Sequence, residues 1–174
     1  MSRRILALIA VLALALAILT GLAVRRGVLG PQPQPAAIGG PFQLVDTNGA
    51  TVDQSVLKGK WSVVFFGFTH CPDICPTTMF ELGQVEPLLG DKVDDFQAVL
   101  ISVDPARDTV AQMKAYLANP AFPKRAIGLT GSAAQVDAAA KAYRVYYKKS
   151  GDGPDYNIDH VAYSYLMNPK GRFA

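Results

Sequence analysis

Residues 59–79 read GKWSVVFFGFTHCPDICPTTM and pass from a continuous apolar run into a loop that contains both cysteines of the chain. The apolar run, residues 61–68, has the length of a buried strand. Residues 77–89 have the pattern of a helix, which Pro87 should weaken and Gly90 should end. The stretch therefore predicts a strand, a turn that carries the two cysteines, and a helix.

The same alternation of strands and helices continues on both sides of this stretch. Before it, FQLVDTNGATVDQ predicts a hairpin that turns at Asn48 and Gly49. After it, FQAVLISVD, AIGLT, YRVYYKKS and VAYSYLMNP predict strands, and helices are expected over residues 109–117, with Asp108 or Thr109 as the cap, and 132–143. Such an order predicts an α/β fold, with parallel crossovers in a central sheet and helices on its faces.

The N-terminus carries a long apolar segment. Arg3 and Arg4 are followed by about 20 uncharged residues, 5–24, enough to cross a bilayer as a helix. A cleaved signal peptide is the alternative, although its apolar region is usually shorter. Arg25 and Arg26 follow, so the charge bias only slightly favours an N-terminus in the cytoplasm.

These features divide the chain into three parts. Residues 1–26 are expected to be a membrane anchor with a single transmembrane helix, and residues 27–40, rich in Pro, Gln and Gly, an extended tether. Residues 41–174 are expected to be the folded domain. Its last residues, GRFA, resemble the start of a last strand, after which a helix would normally cover the exposed sheet face, so either the sequence is truncated or that face is covered in another way.

Composition narrows the classes of function. The net charge of the 174 residues is +3, and after the first segment the basic residues are scattered, so a nucleic-acid partner is not expected. Two cysteines within one motif do not make a disulfide scaffold. The pair instead indicates redox chemistry or metal binding.

Cys71 and Cys75 are four residues apart, a spacing that puts two side chains on one face of a helix. At a helix start, the dipole and free N–H groups should favour thiolates and lower the pKa of both thiols. Two convergent thiolates suit Cu(I), but the same pair can form a disulfide. Pro72 and Pro76 stiffen the loop and fit either function.

A metal site needs a third donor, and the chain has two histidines. His70 adjoins Cys71, but sequence neighbours on a turn often point apart. His160 opens a late strand that could face the cysteine loop, with Asp159 placed to orient its imidazole. Two cysteines and a histidine suit Cu(I), and Cu(II) with additional donors, whereas zinc would usually need a fourth ligand.

Three segments together resemble the Sco/SenC family: FGFTHCPDICP at 66–76, ISVDPARDT at 101–109 and IDHVAYSYLMNPKG at 158–171. The resemblance implies a thioredoxin-like fold, with a central mixed sheet, flanking helices and an N-terminal hairpin. It implies one copper ion held by Cys71, Cys75 and His160, with Asp73 as a supporting residue of the loop. It also implies a metallochaperone that delivers copper to the copper A centre of cytochrome c oxidase, on its subunit II.

The segment from Asp104 to Thr109 flanks the site in the family. A simpler interpretation of Asp104, Arg107 and Asp108 is a helix cap with a local salt bridge. The sequence also departs from the family pattern: Thr77 and Thr78 replace a commoner acidic residue, DHV replaces DHS, and the family continues beyond Ala174.

Two other functions compete with copper delivery. A thiol–disulfide oxidoreductase that reduces the cysteines of the oxidase copper site fits the same family, and a peroxidase using Thr69 and Arg107 is a third hypothesis. Thioredoxin-type oxidoreductases have a cis-proline opposite the cysteine pair, but residues 158–165 contain His160 and no proline. That difference favours a metal-binding protein over an enzyme.

The partners and location follow from the resemblance. An upstream copper donor or thiol reductant is expected besides the oxidase or another copper acceptor. Since the copper A centre faces the outer side of the membrane, the domain should lie on the periplasmic side of a bacterial inner membrane, held by a single span.

Overall fold

A computed structural model describes residues 2–25 and 38–174, and these form two separate units. Most of the predicted tether, residues 27–40, therefore lies outside the described residues. The first unit is the helix α1, Arg3–Arg25. Its mean hydropathy over Arg3–Ala23 is 2.9, so it is long and apolar enough to cross a membrane. A signal sequence has the same properties, and both interpretations of this segment stand.

The second unit contains three α-helices, two 3₁₀ segments and eight strands. The strands are β1 Gln43–Asp46, β2 Thr51–Asp53, β3 Trp61–Gly67, β4 Phe96–Ser102, β5 Ala126–Thr130, β6 Tyr147–Ser150, β7 Asn157–His160 and β8 Ser164–Met167. The helices are α2 Ile74–Val85, α3 Val110–Leu117 and α4 Ala133–Tyr143, and the 3₁₀ segments are Gln54–Leu57 and Glu86–Asp95.

Six strands form the main sheet, in the order β2-β1-β5-β4-β3-β8, and β6 pairs with β7 in a separate two-stranded sheet. The central strands β3, β4 and β5 are parallel, whereas β8 and β1 run antiparallel to their neighbours. Every residue of β4 is buried, as the continuous apolar run predicts. The sheet is therefore mixed, with the expected hairpin β1–β2 at one edge.

Helices cover both faces of this sheet. A side chain at Gly128 of β5 would meet Leu117 and Met113 of α3, so α3 packs on that face. On the other face the ring of Phe66 lies 5.4 Å from that of Tyr143 in α4. Since successive residues of a strand point to opposite faces, Phe65 and Gly67 share the first face. The cysteine loop leaves β3 at this point.

The helix after the cysteines begins and ends earlier than predicted. Helix α2 starts at Ile74 rather than at residue 77, because proline is tolerated in a first turn and Pro76 does not delay it. The chain then continues as a 3₁₀ segment with Pro87 near its start and a kink at Gly90, where φ is 53°. Gly39, within the predicted tether, contacts α4, since its N–H donates to the Ala142 carbonyl at 3.0 Å.

The strand assignment near the C-terminus is wrong in one respect. The sequence predicts a strand over VAYSYLMNP, which β8 confirms, but it predicts no separate strand over residues 157–160, where the structure has β7. Strand β7 pairs with β6, with His160 opposite Tyr147, while β8 pairs with β3 in the main sheet. His160 therefore ends a strand of the small sheet and does not open one of the main sheet.

Candidate metal centre

Three side chains from separate elements meet beside the carboxyl end of β3. Each of Cys71, Cys75 and His160 offers one donor atom, and these atoms lie within 4.8 Å of one another. The Nε2 atom of His160 is 3.8 Å from the Sγ atom of Cys75. Both cysteines are free thiols. The tertiary fold thus brings together the residues that the sequence proposes as ligands, 85 residues apart in the case of Cys75 and His160.

Cys75 lies in the first turn of α2, but Cys71 lies in the loop before it. The prediction that both cysteines share one face of a helix is therefore wrong. Cys71 is held instead by a turn, in which its N–H donates to the Phe68 carbonyl at 3.2 Å. The thiols converge because this loop folds back towards the helix start.

The electrostatics of Cys75 also differ from the prediction. Its side chain is 1% exposed, and burial raises the pKa of the Cys75 thiol above its ordinary value. Burial outweighs a hydrogen bond from the backbone at Phe68, which lowers the pKa, and the neighbouring Cys71 and the Asp108 carboxylate raise the pKa further. The helix start therefore does not make Cys75 a thiolate in the metal-free protein, and metal binding there must release a proton.

Space for the Cys75 sulfur depends on a glycine of the preceding strand. A Cβ atom at Gly67 would lie 2.6 Å from the Sγ atom of Cys75 and 3.3 Å from the side chain of Leu100. Such a distance to sulfur is far inside van der Waals contact. Gly67 is a residue that the sequence analysis missed, and its only signal is a lone glycine in a run of large apolar residues.

The imidazole of His160 is held by two contacts. Its Nδ1 atom is 3.1 Å from the carbonyl oxygen of Val161, which leaves Nε2 directed at Cys75. Its ring stacks edge-on against Phe68, with centroids 5.9 Å apart. Asp159, predicted to orient the ring, is exposed on the adjacent position of β7, and among the described residues it makes no hydrogen bond to the imidazole. The orienting group is a backbone carbonyl that no side-chain motif reveals.

The remaining predicted residues lie at the margin of the donor cluster. Asp73 precedes α2 at the N-cap position, and its side chain makes no capping hydrogen bond. Both Asp73 and Asp159 line a shallow groove that opens beside Cys71 and His160. His70 is exposed and its Nδ1 atom lies 3.1 Å from the Thr69 hydroxyl. It does not belong to the donor cluster.

A buried carboxylate secures the cysteine loop. Asp108 is 0% exposed and accepts hydrogen bonds from the Thr69 N–H at 3.1 Å, the Thr69 hydroxyl at 2.7 Å and the Ser102 hydroxyl at 2.6 Å. Helix α3 is capped by Thr109, whose hydroxyl accepts from the Gln112 N–H. Of the two proposed caps, Thr109 is correct, and Asp108 instead ties the loop to the sheet.

The residues present fit a soft metal ion. Two sulfurs and one imidazole nitrogen are the donors that Cu(I) prefers. Metal–donor bonds of about 2.0–2.3 Å, as zinc makes to nitrogen and sulfur, would separate three trigonal donors by about 3.5–4 Å. The 3.8 Å between Cys75 and His160 is of this size.

The profile of the SCO1/SenC family matches residues 30–174. The chain belongs to the SCO1/SenC family. It is 44% identical over 146 residues to protein SCO1 homolog 1, mitochondrial, of Arabidopsis thaliana, a match that covers 83% of this chain and 43% of the relative. It is 44% identical over 141 residues to yeast protein SCO2, mitochondrial, covering 79% and 46%. The chain thus spans less than half the length of these two relatives.

Solved structures of the family share the fold. The chain is similar to Bradyrhizobium japonicum ScoI with copper bound, with a TM-score of 0.74, 49% identity and coverage of 79% of this chain and 87% of that one. It is equally similar to Arabidopsis thaliana ScoI with copper bound, with a TM-score of 0.74, 44% identity and coverage of 79% and 86%. These likenesses confirm the predicted thioredoxin-like fold.

Proposed function

We propose that this chain is a copper metallochaperone that carries one copper ion between the thiolates of Cys71 and Cys75 and the imidazole of His160. The observation that carries the proposal is the convergence of these three donors, with Nε2 of His160 directed at the Cys75 sulfur. Copper is the cargo of this site, held as Cu(I) or Cu(II).

Donor chemistry and similarity both support copper. Thiolates select soft ions, and the part of the chain that the structure describes places three donors together, without the fourth protein ligand that structural zinc sites use. Two similar structures, 49% and 44% identical to this chain, are described as ScoI with copper bound. The glycine that makes room for the Cys75 sulfur supports a metal-binding role for that thiol.

The destination of the copper is the second part of the proposal. A structure 27% identical to this chain, with a TM-score of 0.58, is described as a member of the Sco family of cytochrome c oxidase assembly proteins. We infer delivery to the copper A centre on subunit II of the oxidase, or to another acceptor with cysteines of its own. An upstream copper donor or thiol reductant would load or reduce the site.

Thiol–disulfide exchange with the oxidase cysteines is the second candidate. The asymmetry of the pair favours it: Cys71 is half-buried and could attack a disulfide, and Cys75 behind it could resolve the mixed disulfide. Against this role, burial raises the pKa of Cys75, and His160 places a metal donor beside the cysteine pair. Copper transfer without catalytic turnover is therefore the preferred function.

A membrane location completes the proposal. Helix α1 would be the single span of an anchor over residues 1–26, followed by the tether 27–40 and the copper-binding domain from residue 41 onwards. The domain would face the periplasm, where a tether would let it reach a membrane-embedded oxidase. The length and hydropathy of α1 support the span.

The test is a copper titration of the full chain in detergent under anaerobic, reducing conditions. We expect one equivalent of Cu(I) to bind, and His160→Ala to weaken binding on the order of 10-fold or more. His70→Ala is the matched control and should bind as the wild type does, because His70 lies outside the donor cluster. Equal affinity of His160→Ala and wild type would contradict the three-donor site and favour the redox function.

A further inference from the structure

Three side chains contact one another beside the segments that carry the donor site: Asp104, Arg107 and Tyr156. Together they are called the Arg107 cluster. The Nε atom of Arg107 donates to Oδ2 of Asp104 at 2.5 Å, and the hydroxyl of Tyr156 donates to Oδ1 of the same carboxylate at 2.5 Å. The Arg107 guanidinium lies 3.7 Å from the centroid of the Tyr156 ring. Each member thus contacts the other two.

The Arg107 cluster joins two parts of the chain that each contribute to the donor site. Asp104 and Arg107 follow β4, a central strand of the main sheet, and Asp104 is 3% exposed. Tyr156 immediately precedes β7, the strand that ends at His160. Arg107 also donates to the carbonyl of Pro154 at 3.4 Å, in the same connection between β6 and β7.

Arg107 is also connected to His160 by two successive contacts, both made by the ring of Phe68. The guanidinium lies 5.9 Å from the centroid of Phe68, and the Phe68 ring packs edge-on against His160. Phe68 is 1% exposed and directly follows β3, so its position is set by the core. Arg107 therefore lies between the ring that contacts His160 and the ring that leads into its strand.

The strand that carries His160 needs such support. Strands β6 and β7 pair only with each other among the described strands, and a two-stranded sheet is marginally stable alone. Of the four residues of β7, Ile158 is the buried one. The bond from the Val161 N–H to the Tyr146 carbonyl lies within the hairpin, whereas the bond from the Tyr147 hydroxyl to Asp137 joins it to α4. The Arg107 cluster is the charged link nearest to the start of β7.

We propose that Arg107, with Asp104 and Tyr156, is a positioning group that holds the β6–β7 hairpin so that His160 reaches the cysteine pair. The inference rests on the proposed copper-binding function of that pair and His160. The bonds of the cluster use charged partners shielded from water, since the Arg107 side chain is 17% exposed, and such bonds are strong and directional. Copper would bind His160 in the position that the Arg107 cluster already stabilises.

The test compares Arg107→Met with wild type in the full chain. Methionine keeps an unbranched apolar stem against Phe68 but removes the charge and the hydrogen bonds to Asp104 and Pro154. We expect Cu(I) affinity, measured by competition with a chromogenic chelator, to fall on the order of 10-fold, as for other groups that orient a metal ligand. In the Cu(II) form, nitrogen hyperfine structure from His160 should weaken in the electron paramagnetic resonance spectrum.

A double mutant separates positioning from general damage. If Arg107 acts through His160, then Arg107→Met combined with His160→Ala should bind copper no more weakly than His160→Ala alone. Additive losses would overturn the inference, because Arg107 would then act on the cysteines or on the fold. Tyr156→Phe, which removes only the hydroxyl bond to Asp104, repeats the test with a smaller change if Arg107→Met does not fold.

Arg125→Met is the matched control, since Arg125 pairs with Asp94 at the surface, away from the donor cluster. It should leave copper affinity and the spectrum unchanged. Wild-type affinity of Arg107→Met and Tyr156→Phe, with weakened His160→Ala, would overturn this inference and leave the proposed function standing. Wild-type affinity of His160→Ala itself would instead contradict the proposed function.

Discussion

The cysteine loop and the histidine strand supply one donor site, but the protein holds them in different ways. The loop follows a central strand of the main sheet and is tied to the buried Asp108 by two hydrogen bonds from Thr69 within 3.1 Å, and the Ser102 hydroxyl of β4 donates to the same carboxylate. His160 ends a short strand of a two-stranded sheet, and a backbone carbonyl and a charged cluster hold it. The sulfur half of the site is thus part of the core, whereas the nitrogen half is attached to it. Substitutions near the cysteines and near His160 should therefore differ in their effects on stability and on copper affinity.

The largest effect should come from Asp108→Ala. This change leaves the Thr69 and Ser102 donors without their acceptor in a buried place, at about 1–3 kcal/mol for each group. We expect the free energy of unfolding in urea to fall by several kcal/mol and Cys71 to react faster with a thiol reagent. Asp108→Asn, which retains one acceptor oxygen, should lose less. A Cys71 labelling rate unchanged in Asp108→Ala would show that the carboxylate does not hold the loop.

A smaller effect on stability, but a direct one on the sulfur, is expected for Gly67→Ala. The added methyl group would meet the Cys75 sulfur and displace it, which costs about 1–3 kcal/mol and weakens copper binding. Gly128→Ala is the control, because its methyl group meets the flexible ends of Leu117 and Met113 on the same face, away from the cysteines. We expect stability to fall in both variants and copper affinity to fall only in Gly67→Ala. Equal affinities would refute a role for the glycine.

The buried Cys75 thiol should also make the stability of the domain depend on pH. Since burial raises the pKa of Cys75, this thiol stays protonated in the folded, metal-free chain after an unfolded cysteine, with a pKa of about 8.5, has ionised. The stability that this group contributes is complete below about pH 8.5 and is lost as the pH rises above it. We expect iodoacetamide to label Cys71 before Cys75, as mass spectrometry of the peptides can show. Labelling in urea, where both rates should be similar, is the control.

The smallest effect is expected for Asp159→Asn. Because the Val161 carbonyl, and not the exposed Asp159, contacts Nδ1 of His160, copper affinity should stay within about twofold of wild type. A loss comparable to that of His160→Ala would mean that the carboxylate, and not the Val161 carbonyl, orients the imidazole. The same chelator competition measures both variants.

Local patterns predicted most of the secondary structure. The turn at Asn48 and Gly49, the apolar runs of β3 and β4 and the capping box at Ser132 each depend on neighbours within a few residues, and all appear in the structure. The errors concern boundaries and pairing. Helix α2 begins before Cys75, and β7 pairs with β6 rather than with the main sheet, since strand pairing is decided by contacts across the chain.

The sequence by itself determined which donors the chain possesses: two cysteines four residues apart after a buried strand, and a histidine late in the chain. It also determined the α/β order that makes their meeting possible. Only the tertiary structure decided that His160 and not His70 joins the cysteines, that Gly67 leaves room for a sulfur, and that Arg107 links the two halves. These are relations between atoms far apart in sequence, and packing and burial, which no local pattern records, produce them.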